Sequence, residues 1–191
     1  HSSMQVFRRP FKLCINFHIF KSFMVMREPR AYANQNSIVS PALKPWLYAS
    51  GSLTQQLTDV AGGVFRVQPV QEYYQRLSQV DSRWMKMPHQ HTAWVRESNL
   101  YGCEAQPWVK AKSIFPILSL QRRARLFKHI GKKPIGRFLF QRTNPDCERR
   151  VILLEDGWTR QSCYTWHGCK FIVQETFLPA FEQFIEQKIK Q

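Results

Sequence analysis

Hydrophobic positions along the chain fall into two periods, and their alternation outlines the fold. From Ser37 to Ala61 the residues Ile38, Leu43, Trp46, Leu47, Leu53, Leu57 and Val60 recur at three- and four-residue steps, as on one face of a helix. Pro41 and Pro45 divide this stretch, and Gly51 restarts it with Ser52 as N-cap of a second helix. Short helices joined by turns are therefore expected, ending at Gly62-Gly63. The pattern then changes to β-branched and alternating residues. Val64 to Gln71, His91 to Tyr101 and Gln106 to Phe115 read as strands, the last two joined as a hairpin and closed by Pro116.

Leu118 to Ile130 reads as a helix again, a basic one, ending at Gly131. Three further strands are predicted over Arg149–Asp156, Trp158–Trp166 and Lys170–Leu178, with His167-Gly168 as the turn between the last two. A final amphipathic helix runs from Ala180 to Lys190 with Phe181, Phe184, Ile185 and Ile189 on one face. Five or six strands in hairpins, with helices early, in the middle and at the end, define an α+β class: one domain on an antiparallel sheet. No repeat, linker or second domain interrupts it.

Residues 1–25 stand apart. Their basic start and apolar middle are interrupted by Asn16, His18 and Lys21, too short and polar a stretch to span a bilayer. We expect an upstream extension here, a natural start at Met24 or Met26, and a domain over 26–191. A secretory signal and a surface-seeking amphipathic helix are the alternatives.

Composition narrows the partners without choosing one. The 191 residues are 43% hydrophobic, and 28 Lys and Arg against 13 acids give a net charge of +15. Four of those charges lie in residues 1–25, which hold no acid, so residues 26–191 carry +11. Such an excess favours an anionic partner. The densest run, Gln121 to Lys133, lacks the company of any helix-turn-helix, zinc-finger or aromatic RNA-binding signature, and a solvated face beside an anion site is expected rather than nucleic-acid binding. Five cysteines without a C-x-x-C pair suit reduced thiols in a cytoplasmic protein. Neither Cys163, His167 and Cys169 nor His89 and His91 has structural-zinc spacing, so no metal is expected.

Two charged residues lie inside strands. Arg96 shares a strand face with Trp94, and Glu175 shares one with Val173 and Phe177. An inward guanidinium requires a partner, either a protein acid or the carboxylate of a small ligand that its planar fork can grip. An inward carboxylate is either ion-paired or held in apolar surroundings that disfavour its charged form. The residues alone leave both choices open.

The order of four segments resembles a known family. They are Ser52-Leu-Thr54, Trp94-Val-Arg-Glu97, the block Gly131-Lys-Lys-Pro-Ile-Gly-Arg-Phe-Leu-Phe140, and Glu175-Thr-Phe-Leu-Pro179. Over about residues 46 to 181 the chain is similar to the bacterial chorismate lyases. That resemblance implies six antiparallel strands with helical flaps over an internal ligand cavity. It implies conversion of chorismate to 4-hydroxybenzoate and pyruvate, the first committed step toward ubiquinone, with no cofactor, in a monomer without stable membrane insertion. By matched position it makes Arg96 the carboxylate-binding arginine and Glu175 the acid at the ligand's hydroxyl end, orienting the hydroxyl or relaying a proton. The Ile135 backbone and Leu53 would be the remaining ligand contacts, standing where the family has leucine and methionine. A non-catalytic carboxylate-binding domain of the same fold is the alternative.

Overall fold

The computed structural model describes residues 39–141 and 144–190. The reading of residues 1–25 as an extension lies outside them. Six strands, β1 (Arg66–Arg76), β2 (Thr92–Tyr101), β3 (Val109–Pro116), β4 (Asp146–Leu154), β5 (Gly157–Trp166) and β6 (Cys169–Phe177), form one sheet in the order β1-β2-β3-β6-β5-β4. Every neighbouring pair is antiparallel. Two hairpin systems are thus joined at their middle, where β3 meets β6.

The early helices are short, as their prolines require: α1 (Lys44–Tyr48) and α2 (Leu53–Val60). Ser52 caps α2 by accepting the Gln55 N–H at 3.4 Å. Between β1 and β2 lies α3 (Gln79–Met85), which hydrophobic periodicity does not reveal. Its signal is local: Ser78 accepts the Asp81 N–H at 3.0 Å, an N-cap followed three residues on by an acid. Lys86 ends it at φ 56°. The strand expected at Val64–Gln71 runs on to Arg76, because the register from Arg66 opposite Tyr101 continues to Arg76 opposite Thr92 past a bulge between Pro69 and Gln71. Pro69 is tolerated because β1 is an edge strand.

The basic run is not the single helix expected. One turn of α-helix, α4 (Ile117–Leu120), gives way to a 3₁₀ segment over Arg123–His129. Ala124, Phe127 and Ile130 are buried there at three-residue steps, the period of a 3₁₀ helix, so docking on the sheet favours the tighter winding. A further short helix, α5 (Ile135–Leu139), follows, and α6 (Pro179–Ile189) closes the chain. Phe181 and Ile185 of α6 are buried, but Ile189 is 70% exposed, because the helix outruns the core beneath it.

Core packing divides by sheet face. On one face, Trp108, Phe177 and Phe181 gather under α1, α2 and α6, and the Trp46 ring meets Phe181 edge-on at 4.8 Å. Beside them Phe115, Phe127 and Phe171 stack beneath the 3₁₀ segment. Between these two apolar clusters the same face carries polar side chains. The opposite face is covered in part by α3, where Leu77 and Met85 pack on Val95, Ile114 and Ile172.

Candidate functional site

Strand alternation places Arg96 and Ser98 of β2, Ser113 of β3, Val173 and Glu175 of β6 and Tyr164 of β5 on the floor of one pocket. Leu53 and Thr54 at the start of α2, with Lys133 to Gly136, Leu139 and Phe140, form its roof. The structure therefore brings all four sequence-predicted residues, Leu53, Arg96, Ile135 and Glu175, around a single cavity. Trp94 shares the Arg96 face but packs on Phe115 at 5.6 Å outside the lining.

The roof closes tightly because one residue lacks a side chain. A Cβ on Gly136 would lie 2.7 Å from Ser52 Oγ and 3.3 Å from Thr54 Oγ1, so glycine there lets α5 approach the start of α2 without displacing either hydroxyl. Gly131, at φ 55°, turns the chain from the basic segment into this flap.

Arg96 is almost wholly buried, at 4% exposure. One of its nitrogens, Nη2, donates to the Gly131 carbonyl, which ties the floor to the flap. Among the described residues no carboxylate forms an ion pair with Arg96. Burial lowers its pKa, and the charge of Glu72 opposes that shift in part. An arginine nonetheless keeps its proton, so a cation with unused donors faces the cavity.

Glu175 resolves differently. Its carboxylate accepts from Arg160 Nε at 2.5 Å, and Arg160 also donates to the backbone carbonyls of Trp46 at 2.9 Å and Ala49 at 3.4 Å. Of the two sequence-level alternatives, apolar isolation and ion pairing, the second holds. The paired carboxylate still lines the cavity, with its other oxygen able to accept from a ligand. Sequence reasoning missed Arg160, Ser113, Tyr164 and Lys133. The signal for Arg160 and Tyr164 was the same two-residue alternation within Trp158–Trp166, obscured because both faces of β5 are buried.

Arg96 and Glu175 stand two strands apart, on β2 and β6 with β3 between. Arg96 lies opposite Ser113 and Ser113 opposite Val173, two residues from Glu175, so at ~4.8 Å per strand and ~3.4 Å per residue the two backbones are roughly 12 Å apart. Both side chains line the pocket that lies between them. A carboxylate at one end and a hydrogen-bonding oxygen at the other would meet both groups.

Fold and site together define an α+β domain with a flap-covered pocket lined by Arg96 and Lys133. The family model for chorismate lyase matches residues 29–187, and the chain belongs to that family. It is 77% identical over 152 residues to a probable chorismate pyruvate-lyase of Acinetobacter baylyi, covering 80% of this chain and 91% of the relative. A probable chorismate pyruvate-lyase of Acinetobacter baumannii is 67% identical over 163 residues, covering 85% and 96%. Among solved structures, the effector domain of PhnF from Mycobacterium smegmatis superposes with a TM-score of 0.51 at 9% identity, over 68% of this chain and 90% of that one. That likeness shows the fold alone.

Four of the cysteines, Cys103, Cys147, Cys163 and Cys169, are free thiols. Burial pushes the Cys163 thiol up to about 11, which makes it an unreactive core residue. No helix of the described residues is long and apolar enough to cross a membrane.

Proposed function

We propose that this protein converts chorismate to 4-hydroxybenzoate and pyruvate, and that the cavity over Arg96 is where it does so. The observation that carries the reading is the buried Arg96 guanidinium, which among the described residues donates to a carbonyl and forms no ion pair with an acid, and which lines the pocket. Chorismate is a dicarboxylate, so it supplies the missing anion. Lys133 in the roof and the surrounding cations give a field that draws such a substrate in.

In the mechanism we propose, Arg96 holds a substrate carboxylate and balances charge on the departing enolpyruvate. The ether C–O bond breaks, the adjacent ring C–H electrons complete the aromatic ring, and the proton ends on the enolpyruvyl carbon to give pyruvate. Glu175, kept in place by Arg160, accepts a hydrogen bond from the ring hydroxyl and orients it, or relays the proton. Leu53 and the Ile135 backbone close over the ring and exclude water.

We place the reaction at the first committed step toward ubiquinone, in a cytoplasmic monomer that needs no cofactor. Residues 1–25 are proposed to be an extension, so a chain beginning at Met26 is expected to fold and turn over like the full chain. A soluble but inactive chain would give the segment a role.

Incubation with chorismate, following 4-hydroxybenzoate and pyruvate together, tests the central claim. Stoichiometric products well above the uncatalysed rate are expected. Binding of 4-hydroxybenzoate without turnover of chorismate would instead identify a non-catalytic carboxylate-binding domain.

A further inference from the structure

Tyr164 has no role in the reading above, yet it stands at the site. It lies on β5, four residues from Arg160, opposite Phe171 of β6. Its ring packs against Phe171 at 5.7 Å and edge-on to Phe140 of the flap at 6.1 Å. Packing in this aromatic row requires only a phenyl ring; the hydroxyl is additional.

That hydroxyl is where the chemistry lies. Tyr164 is 4% exposed, and a tyrosine so buried ordinarily finds a hydrogen-bond partner for its oxygen. Among the described residues it makes no hydrogen bond, and it is also absent from the sealed, unsatisfied atoms, which are Gln56 Oε1, Ser82 Oγ and Arg150 Nη2. The oxygen therefore retains accessible surface, and Tyr164 is one of the residues that line the pocket. Burial, with the Glu175 charge adding to it, pushes the phenol up to about 12, so it stays a donor at any ordinary pH.

We infer that the Tyr164 hydroxyl donates a hydrogen bond to the ligand's ring hydroxyl at the Glu175 end of the cavity, making Tyr164 a specificity-determining residue of the site. A hydroxyl can accept from Tyr164 and donate to Glu175 at once. Neither a hydrogen nor an ether oxygen at that position can satisfy both. The pair would thus select a ring bearing a free hydroxyl across from its carboxylate. This inference rests on the proposed function for its ligand.

The test measures binding of 4-hydroxybenzoate and of benzoate by calorimetry, to the unsubstituted protein and to Tyr164→Phe, with kcat and KM for chorismate alongside. Tyr164→Phe is expected to weaken 4-hydroxybenzoate by about five- to tenfold, the range for one lost hydrogen bond. Benzoate affinity should hold within about twofold, since it lacks the hydroxyl that Tyr164 would read. Tyr164→Leu, which also removes the ring, should weaken both ligands. Equal weakening of both ligands by Tyr164→Phe, or of neither, would overturn the inference. So would an unsubstituted protein that binds 4-hydroxybenzoate no better than benzoate. Failure of the proposed reaction is read separately, as intact and Tyr164-dependent 4-hydroxybenzoate binding without product from chorismate.

Discussion

Arg160 on β5 and Glu175 on β6 are cross-strand partners, and their side chains meet at 2.5 Å with the guanidinium only 1% exposed. The same guanidinium takes the Trp46 and Ala49 carbonyls at the end of α1, and Arg149 also donates to Ala49. One buried cation thus fixes the acid of the site and docks the first helix on the sheet, where exposed C-terminal carbonyls attract positive charge.

Removing that cation should unfold more than it inactivates. Arg160→Met leaves Glu175 buried without a partner and is expected to cost about 3–5 kcal/mol in urea unfolding. Adding Glu175→Leu should recover much of the loss, because the orphaned charge goes with it. A single variant as stable as the unsubstituted protein would show that the pair contributes nothing to the fold.

Arg96 should separate binding from folding. Arg96→Ala is expected to lower kcat/KM for chorismate by about 100- to 1,000-fold. Arg96→Lys should recover little of this, since lysine lacks the planar fork. Steady-state kinetics beside an unchanged circular dichroism spectrum would check it, and near-native turnover would mean that another cation holds the carboxylate.

The flap contact makes a steric prediction. Gly136→Ala puts a methyl carbon 2.7 Å from Ser52 Oγ, so either that hydroxyl rotates off its capping position or α2 and α5 part. We expect weaker 4-hydroxybenzoate binding and faster release. Ser52→Gly, which sacrifices only a few tenths of a kcal/mol as an N-cap, should partly restore affinity in the double variant. Titrations of the two single variants and the double variant decide it; additive losses would place the clash elsewhere.

Glu97 predicts a pH dependence on the far face of the sheet. Burial opposes its charge, but hydrogen bonds from Gln71 and Tyr73, each 2.7 Å, and the Lys112 ammonium at 3.4 Å outweigh that and hold its carboxyl below the ordinary 4.5. A lowered folded-state pKa gives stability that is complete above the unfolded value and lost as pH falls through the folded one. Glu97→Gln should therefore be less stable than the unsubstituted protein at neutral pH, with the gap closing in acid below that value. Urea midpoints across a pH series would show it, and a constant gap would contradict it.

Alternation with period two was enough to find the strands other than the second half of β1. The Gly131–Phe140 block and the Glu175–Pro179 segment were enough to suggest the site. Arg96 and Glu175 were legible as inward charges because a strand interior leaves a side chain only two directions. What each charge faces was not legible. The Arg160–Glu175 pair joins strands whose register is fixed only by the hairpin at His167 and Gly168, both at positive φ, and on β5 the buried pattern is continuous on both faces. The basic run misled in another way. Its spacing suits either helical winding, and contact with the sheet through Ala124, Phe127 and Ile130 decides for 3₁₀.

The sequence by itself determined the α+β class, the strand positions and the family, because these follow from local periodicity and from motifs contiguous along the chain. Tertiary structure alone decided that Arg96 forms no ion pair among the described residues, that Glu175 is paired with Arg160, and that Tyr164 lines the same cavity. Those are relations across the sheet, set by register and by which side chains share a face, and the energy of a buried charge depends on what else is buried with it.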